Sequence, residues 1–366
     1  MARAALANSR GTFSELGVVD TEKVQALEDA LAVSGDTDEA RRARLLAILA
    51  VELLWSADPD RCRQLSDEAL TLAHRIGDPR VLGSVIALRW ATLWPPQWAV
   101  ERLNLAEELL SLAEVTGDPS FRFWGLWRRS LALMELADGA AAAESREAAG
   151  RQASDLGQPF LNWAVMFSVM SASVASGRLG EAERLLEEIP DYRIPDADTL
   201  FTAGLAGLRY EQGRLGELEP RLRSTVERLP RVPLFGALLA LAQAELGRID
   251  EAQATYRALG DDLAELVFDY FAAPTAAVLA TVCARLGDTH GAARLFDLIA
   301  PFANQIASHP GLWFGSYEHH LGLLATTLGR LPEAETHFAR AAATHERLGA
   351  TTWLARTRLE WSRITA

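Results

Sequence analysis

Apolar residues recur at i, i+3, i+4 and i+7 through most of the chain. In residues 60–76, Cys62, Leu65, Ala69, Leu72, Ala73 and Ile76 form one stripe with polar residues between them. That spacing predicts an amphipathic helix with one buried face. No run shows the period-two alternation, bounded by hairpin turns, that marks a half-buried strand, so strands are not expected.

Repeated stop-and-start signals interrupt the stripes. Gly77-Asp78-Pro79, Gly117-Asp118-Pro119 and Gly157-Gln158-Pro159 stand 40 residues apart. Gly suits the left-handed position after a helix, Asp caps the next one, and Pro fits its first turn. A second signal begins Gly177-Arg178-Leu179-Gly180-Glu181-Ala182 and Gly213-Arg214-Leu215-Gly216-Glu217-Leu218. It recurs at Gly247-Arg248-Ile249-Asp250-Glu251-Ala252 and Gly329-Arg330-Leu331-Pro332-Glu333-Ala334, with a weaker copy at Gly287-Asp288. Gly157 and Gly177 are 20 residues apart, so the two signals are half a repeat out of phase. One closes the first helix of each pair and the other closes the second. A period of this size marks a repeat architecture.

The predicted fold is all-α: a tetratricopeptide (TPR)-like right-handed α-solenoid of about eight antiparallel helix pairs plus a closing helix. It is expected to form a single repeat domain over 1–366, with an N-terminal linker or cap at 1–20 and a C-terminal capping helix at 350–366. Pro190 and Pro195 predict an irregular loop, and a change of curvature is expected near 190–198. Pro230 to Pro233 predicts another loop.

Composition narrows the function classes. At 366 residues and 49% hydrophobic content the chain can bury a large core. With 36 basic and 49 acidic residues its net charge is −13, which argues against binding nucleic acid. Its 2 cysteines, Cys62 and Cys283, form no Cys-x-x-Cys pair, so no disulfide scaffold or thiolate zinc site is expected. No apolar segment near the N-terminus is long enough for a signal peptide. The stretch without Asp, Glu, Lys or Arg at residues 298–317 contains Pro301 and Pro310 and is not a membrane span. A soluble cytoplasmic protein without cofactor or metal is expected.

Several stretches carry a resemblance. They include Gly17-Val18-Val19-Asp20, Arg42-Ala43-Arg44-Leu45-Leu46-Ala47 and Asp67-Glu68-Ala69-Leu70. Further along are Arg209-Tyr210-Glu211-Gln212-Gly213-Arg214, Leu321-Gly322-Leu323-Leu324-Ala325 and Glu346-Arg347-Leu348-Gly349-Ala350 with Trp353-Leu354-Ala355-Arg356-Thr357. Together they resemble the C-terminal TPR-like helical-repeat region of actinobacterial signal-transduction ATPases. In that family the repeats follow a nucleotide-binding module, with a LuxR-type DNA-binding domain or an adenylate/guanylate cyclase domain elsewhere. No P-loop (Gly, four residues, Gly-Lys-Ser/Thr) and no basic helix-turn-helix is present here. The resemblance therefore implies the sensor or interaction arm of such a regulator, either an excised fragment or a stand-alone gene product.

Three groups of residues are candidates for chemistry. Trp90, Trp94 and Trp98 are spaced four apart around Pro95-Pro96, and Trp124 lies in the next pair. They read either as knobs between stacked helices or as the wall of an aromatic pocket. Arg89, Arg128 and Arg209 fall on helices expected to line the inner face. They read either as internal ion pairs or as holders of a carboxylate or phosphate. Trp313, Phe314, Tyr317, Glu318, His319 and His320 form the third group. A helix puts Phe314, Tyr317 and Glu318 on one face and turns the histidines away, which disfavours a metal site. Tyr317, Glu318 and His319 are candidates for acid–base catalysis, against a reading of adjacent histidines as solvated surface.

Two functions follow. One is an interaction or sensor module that binds a protein partner or a small effector in its concave groove, with Arg89, Trp90, Trp94, Trp98, Trp124, Arg128, Arg209, Trp313 and Tyr317 as ligand-binding candidates. The other is a repeat scaffold recruited as a cofactor-free enzyme, cyclase- or isomerase-like, acting on an apolar metabolite. Oligomerisation is left open.

Overall fold

The computed structural model describes residues 16–34, 38–56, 58–188, 197–260 and 269–365. The cap expected at 1–20 lies largely outside them, as does most of the segment where a change of curvature is expected. The described residues are all-α apart from one short hairpin, and none of their helices is long and apolar enough to cross a membrane.

In chain order the helices are α1 (Thr21–Ser34), α2 (Glu39–Glu52), α3 (Pro59–Ile76), α4 (Pro79–Arg89), α5 (Ala99–Thr116) and α6 (Pro119–Glu135). Then come α7 (Gly139–Leu156), α8 (Pro159–Ala175), α9 (Leu179–Glu188), α10 (Ala197–Glu211), α11 (Glu219–Arg228) and α12 (Pro233–Glu245). The last six are α13 (Ile249–Ala258), α14 (Ala272–Leu286), α15 (Thr289–Ile299), α16 (Tyr317–Thr327), α17 (Leu331–Arg347) and α18 (Thr351–Thr365).

The sequence signals set these boundaries as expected, with one exception. At the end of α3, Gly77 has φ 71°, and Asp78 accepts the N–H groups of Arg80 and Val81 ahead of Pro79. Gly117-Asp118-Pro119 repeats the arrangement. At Gly157-Gln158-Pro159 the glycine and proline keep their roles, but Gln158 makes no capping bond.

Helices differ in how they are buried. On α3 only a stripe of Cys62, Ser66, Ala69, Leu72 and Ala73 is buried. By contrast α12 is buried at every position from Leu234 to Gln243, and α14 from Ala272 to Cys283. A helix apolar all round must be covered on all sides. α12, α14 and α16 lie side by side, with α13, α15 and α17 packed against them.

Part of the interior is filled by an element the sequence does not predict. Strands β1 (Ile306–His309) and β2 (Leu312–Ser316) form an antiparallel hairpin around Pro310-Gly311, with His309 opposite Leu312 and Ser308 opposite Trp313. This corrects the expectation of no strands. β2 is buried on both faces, so it shows no alternation, and every residue from His309 to Gly322 is buried. β1 packs on α6 and α14, and β2 on α8, α10, α14, α16 and α17.

Two glycines make that fit. A Cβ on Gly311 would lie 1.9 Å from the ring of Phe167, and Gly315, at φ 73°, would place one 2.3 Å from Trp353. Long-range bonds close the structure around the hairpin. Arg347 Nη1 donates to the carbonyl of Ala137 at 2.6 Å, and Thr351 Oγ1 to that of Ser176 at 3.1 Å. Trp353, on the closing helix α18, is fully buried beside Trp313 and Tyr210.

Candidate functional site

Between the hairpin and the helices around it lies a narrow cleft of about 40 Å³, room for roughly two or three waters. Trp90 and Trp94 reach it from the turn after α4, and Tyr270 from the turn before α14. His309 and Trp313 reach it from the hairpin, and Arg102, Glu135, Arg146, Ser168 and Ser171 from α5 to α8. The aromatic rings form a continuous wall. Trp94 meets Tyr270 edge-to-face with centroids 4.3 Å apart, Tyr270 meets His309 at 4.4 Å, and Trp90 meets Trp94 at 4.9 Å. Edge-to-face packing of this kind fixes ring positions better than apolar contact alone.

Polar atoms around the cleft lack partners among the described residues. Arg102 binds the Oε2 atom of Glu135 and the carbonyls of Leu93 and Pro95, while Glu135 Oε1 has no hydrogen bond. Burial pushes the Glu135 carboxyl up, and the Arg102 guanidinium opposes that shift. The indole N–H groups of Trp94 and Trp313 are buried without acceptors. Neither ring nitrogen of His309 has a partner, and burial holds its pKa well below the usual histidine value. A neutral imidazole offers one donor and one acceptor. Buried groups of this kind are almost always satisfied, so their convergence on one cleft calls for something to pair with them.

The structure brings three of the expected ligand-binding residues to this cleft: Trp90, Trp94 and Trp313. Trp98 and Trp124 pack instead in a satellite core with Trp90 and Leu105. Arg89 is buried between Asp67 and Glu101, each 2.6 Å away, and Arg209 binds Glu183 at 2.6 Å. Both arginines thus hold carboxylates of their own chain. Arg128 is sandwiched between the rings of Trp90 and Trp124, at 5.3 and 5.1 Å, and burial pulls its pKa down to about 9. Tyr317 is buried, its hydroxyl donating to the carbonyl of Ala273 at 3.5 Å.

The adjacent histidines are not solvated surface, which corrects that expectation. His319 and His320 are 2% and 0% exposed, because α17 and α18 cover α16. Nor does Phe314 share a helical face with Tyr317 and Glu318, since it belongs to β2. His320 Nε2 donates to the carbonyl of Phe314 at 2.7 Å, and His319 Nδ1 meets Thr357 Oγ1 at 2.9 Å. Glu318 turns to α17, where His337 Nδ1 lies 2.5 Å away. Tyr317, Glu318 and His319 therefore serve three different partners rather than one reaction centre.

Several cleft residues were not legible as a site: Arg102, Glu135, Tyr270 and His309. The one local signal was Pro310-Gly311, a turn dipeptide, directly after His309. Among the described residues no three His, Cys, Asp or Glu side chains converge to hold a metal ion. No protein-family model matches the chain, and no curated protein matches it.

Proposed function

We propose that the chain is a TPR-like helical-repeat sensor module that binds a small effector in the cleft beside the hairpin. On this reading its helix pairs form a right-handed solenoid closed around the hairpin, it works in the cytoplasm, and it is the sensor arm of a signal-transduction regulator like those it resembles. One observation carries the effector site: the unpaired N–H groups of Trp94 and Trp313 and the unpaired Glu135 Oε1 and His309 nitrogens meet at one cleft. Such groups reward a ligand that has both donors and acceptors, because leaving them unmade costs about 1–3 kcal/mol each. A ligand larger than a few waters must displace one wall.

Native mass spectrometry of protein made in its own host tests this. The wild type is expected to release a small molecule on denaturation. The His309→Phe variant, which fills the cleft, is expected to carry none. A wild type that carries no small molecule but captures one protein partner moves the reading to the concave-groove interaction module.

The enzyme reading has one observation in its favour: Glu135, pushed up by burial, and the neutral His309 line the same cleft. Turnover of a bound metabolite by the wild type, lost in Glu135→Gln, would establish it.

A further inference from the structure

A second groove, of about 270 Å³, lies between α10, α14, α16 and α18. Arg285 of α14, His319 of α16, and Arg356 and Arg363 of α18 line it, with Leu323 and Tyr210 beside them.

Its cations are unevenly compensated. Arg285 is exposed and makes no ion pair or hydrogen bond among the described residues. The Arg356 guanidinium lies 4.2 Å from the centre of the Tyr210 ring and forms a long ion pair, 3.7 Å, with the buried Glu211, while its Nε has no acceptor among the described residues. Arg363 takes up the one carboxylate lining the groove, Glu360, at 2.7 and 2.8 Å. Glu245 also acts electrostatically on Arg285 and Arg356 but pairs with neither.

The buried histidine adds a fixed donor. His345 Nε2 accepts the N–H of Ser316 at 2.9 Å, so its Nδ1 carries the proton and donates to Thr357 Oγ1 at 3.1 Å. The Thr357 hydroxyl then donates to His319 Nδ1, which leaves the proton of the neutral His319 on Nε2. His319 therefore offers the groove an N–H whose orientation is set by two helices.

We propose that this groove binds the phosphate of a small phosphomonoester, or inorganic phosphate itself. Donors arrive from three helices, which suits a tetrahedral oxyanion better than a planar carboxylate, and guanidinium forks match phosphate oxygens. Leu323 and the Tyr210 ring supply an apolar wall for the organic part of a phosphomonoester.

Titration calorimetry with sodium phosphate and with glycerol 3-phosphate, at ionic strength matched by sodium chloride, tests the proposal. The wild type is expected to bind at least one of them. Arg285→Ala should melt close to the wild-type temperature without ligand, since that exposed side chain makes no ion pair or hydrogen bond among the described residues, and should bind about tenfold or more weakly, the loss of one charge-assisted contact. Tighter binding of glycerol 3-phosphate assigns an organic phosphate, and tighter binding of inorganic phosphate assigns the free ion; both support the site. No binding of either, unchanged affinity in Arg285→Ala, or acetate binding as tightly as phosphate would overturn it.

Discussion

His345 accepts the backbone N–H of Ser316 at 2.9 Å, and through that bond α17 holds the end of β2 in place. Ser316 also caps α16, its hydroxyl accepting the N–H of Glu318 at 3.1 Å. One residue thus closes the hairpin, starts a helix and meets a histidine from the next one. The histidine must stay neutral to accept, and burial, the largest influence on it, brings its pKa down to about 3.

His345→Gln is expected to lower stability by about 1–3 kcal/mol at neutral pH by leaving buried polar groups unmatched. A group whose folded pKa lies below its unfolded value stabilises above the unfolded value and loses that contribution on acidification. The gap between wild type and variant should therefore shrink as pH falls from 6.5 towards 3. The slope approaches about 1.4 kcal/mol per pH unit. Urea melts at stepped pH measure it, and a gap constant with pH would refute the neutral-acceptor role.

Asp269 works in the opposite sense. It is fully buried ahead of α14, accepts the Phe271 N–H at 2.9 Å, and burial raises its pKa to about 7. An acid with a raised folded pKa costs stability as pH rises from its unfolded value through its folded one, here from 3.8 to about 7. Asp269→Asn keeps the acceptor and removes the charge. It is expected to raise the melting temperature at pH 8 and to leave it nearly unchanged at pH 4.

Gly311→Ala drives a methyl group into the Phe167 ring, which is itself stacked on Trp163 at 5.2 Å. Overpacking of this kind costs about 1–3 kcal/mol. The same change at Gly150, where the nearest side-chain atom is 3.6 Å away, should be neutral or slightly stabilising because it lies inside α7. Equal denaturant midpoints for the two variants would show that the hairpin tip is not tightly packed.

Arg102→Ala removes the partner of a buried carboxylate and two carbonyl contacts, and a loss of about 3–5 kcal/mol is expected. The double variant Arg102→Met, Glu135→Met should recover much of that loss, since no charge is left stranded. Removing the half-buried helix cap in Asp118→Ala costs about 1 kcal/mol by comparison. Circular-dichroism melts rank the three.

The helix boundaries were legible because each rests on chemistry within a few residues, as at Gly77-Asp78-Pro79. The hairpin was not, although Pro310-Gly311 stood at its tip. Its strands are wrapped by six helices, so both faces are apolar and the period that betrays a strand is erased. The histidines were misread for a related reason. Adjacent His319 and His320 resemble a wet surface until α17 and α18, closed over them by contacts far along the chain, supply Thr357 and dry surroundings. Arg89 and Arg209 were visible as arginines on helices expected to line the inner face, but their carboxylates come from neighbouring helices whose register the local pattern does not contain. Of the cleft, the tryptophans were visible in the sequence and their unpaired partners were not.

The bond from Arg347 to Ala137 spans 210 residues, and that distance has a meaning in time. At synthesis rates of about 5–20 residues per second, roughly ten to forty seconds separate the emergence of the two partners. During that interval α6 and α8 exist without the hairpin and closing helix that cover them. An open repeat array can fold unit by unit as it leaves the ribosome, whereas this chain must wait for its last tenth before its middle is finished. The nascent protein is accordingly exposed to chaperones, and to aggregation, for most of its synthesis.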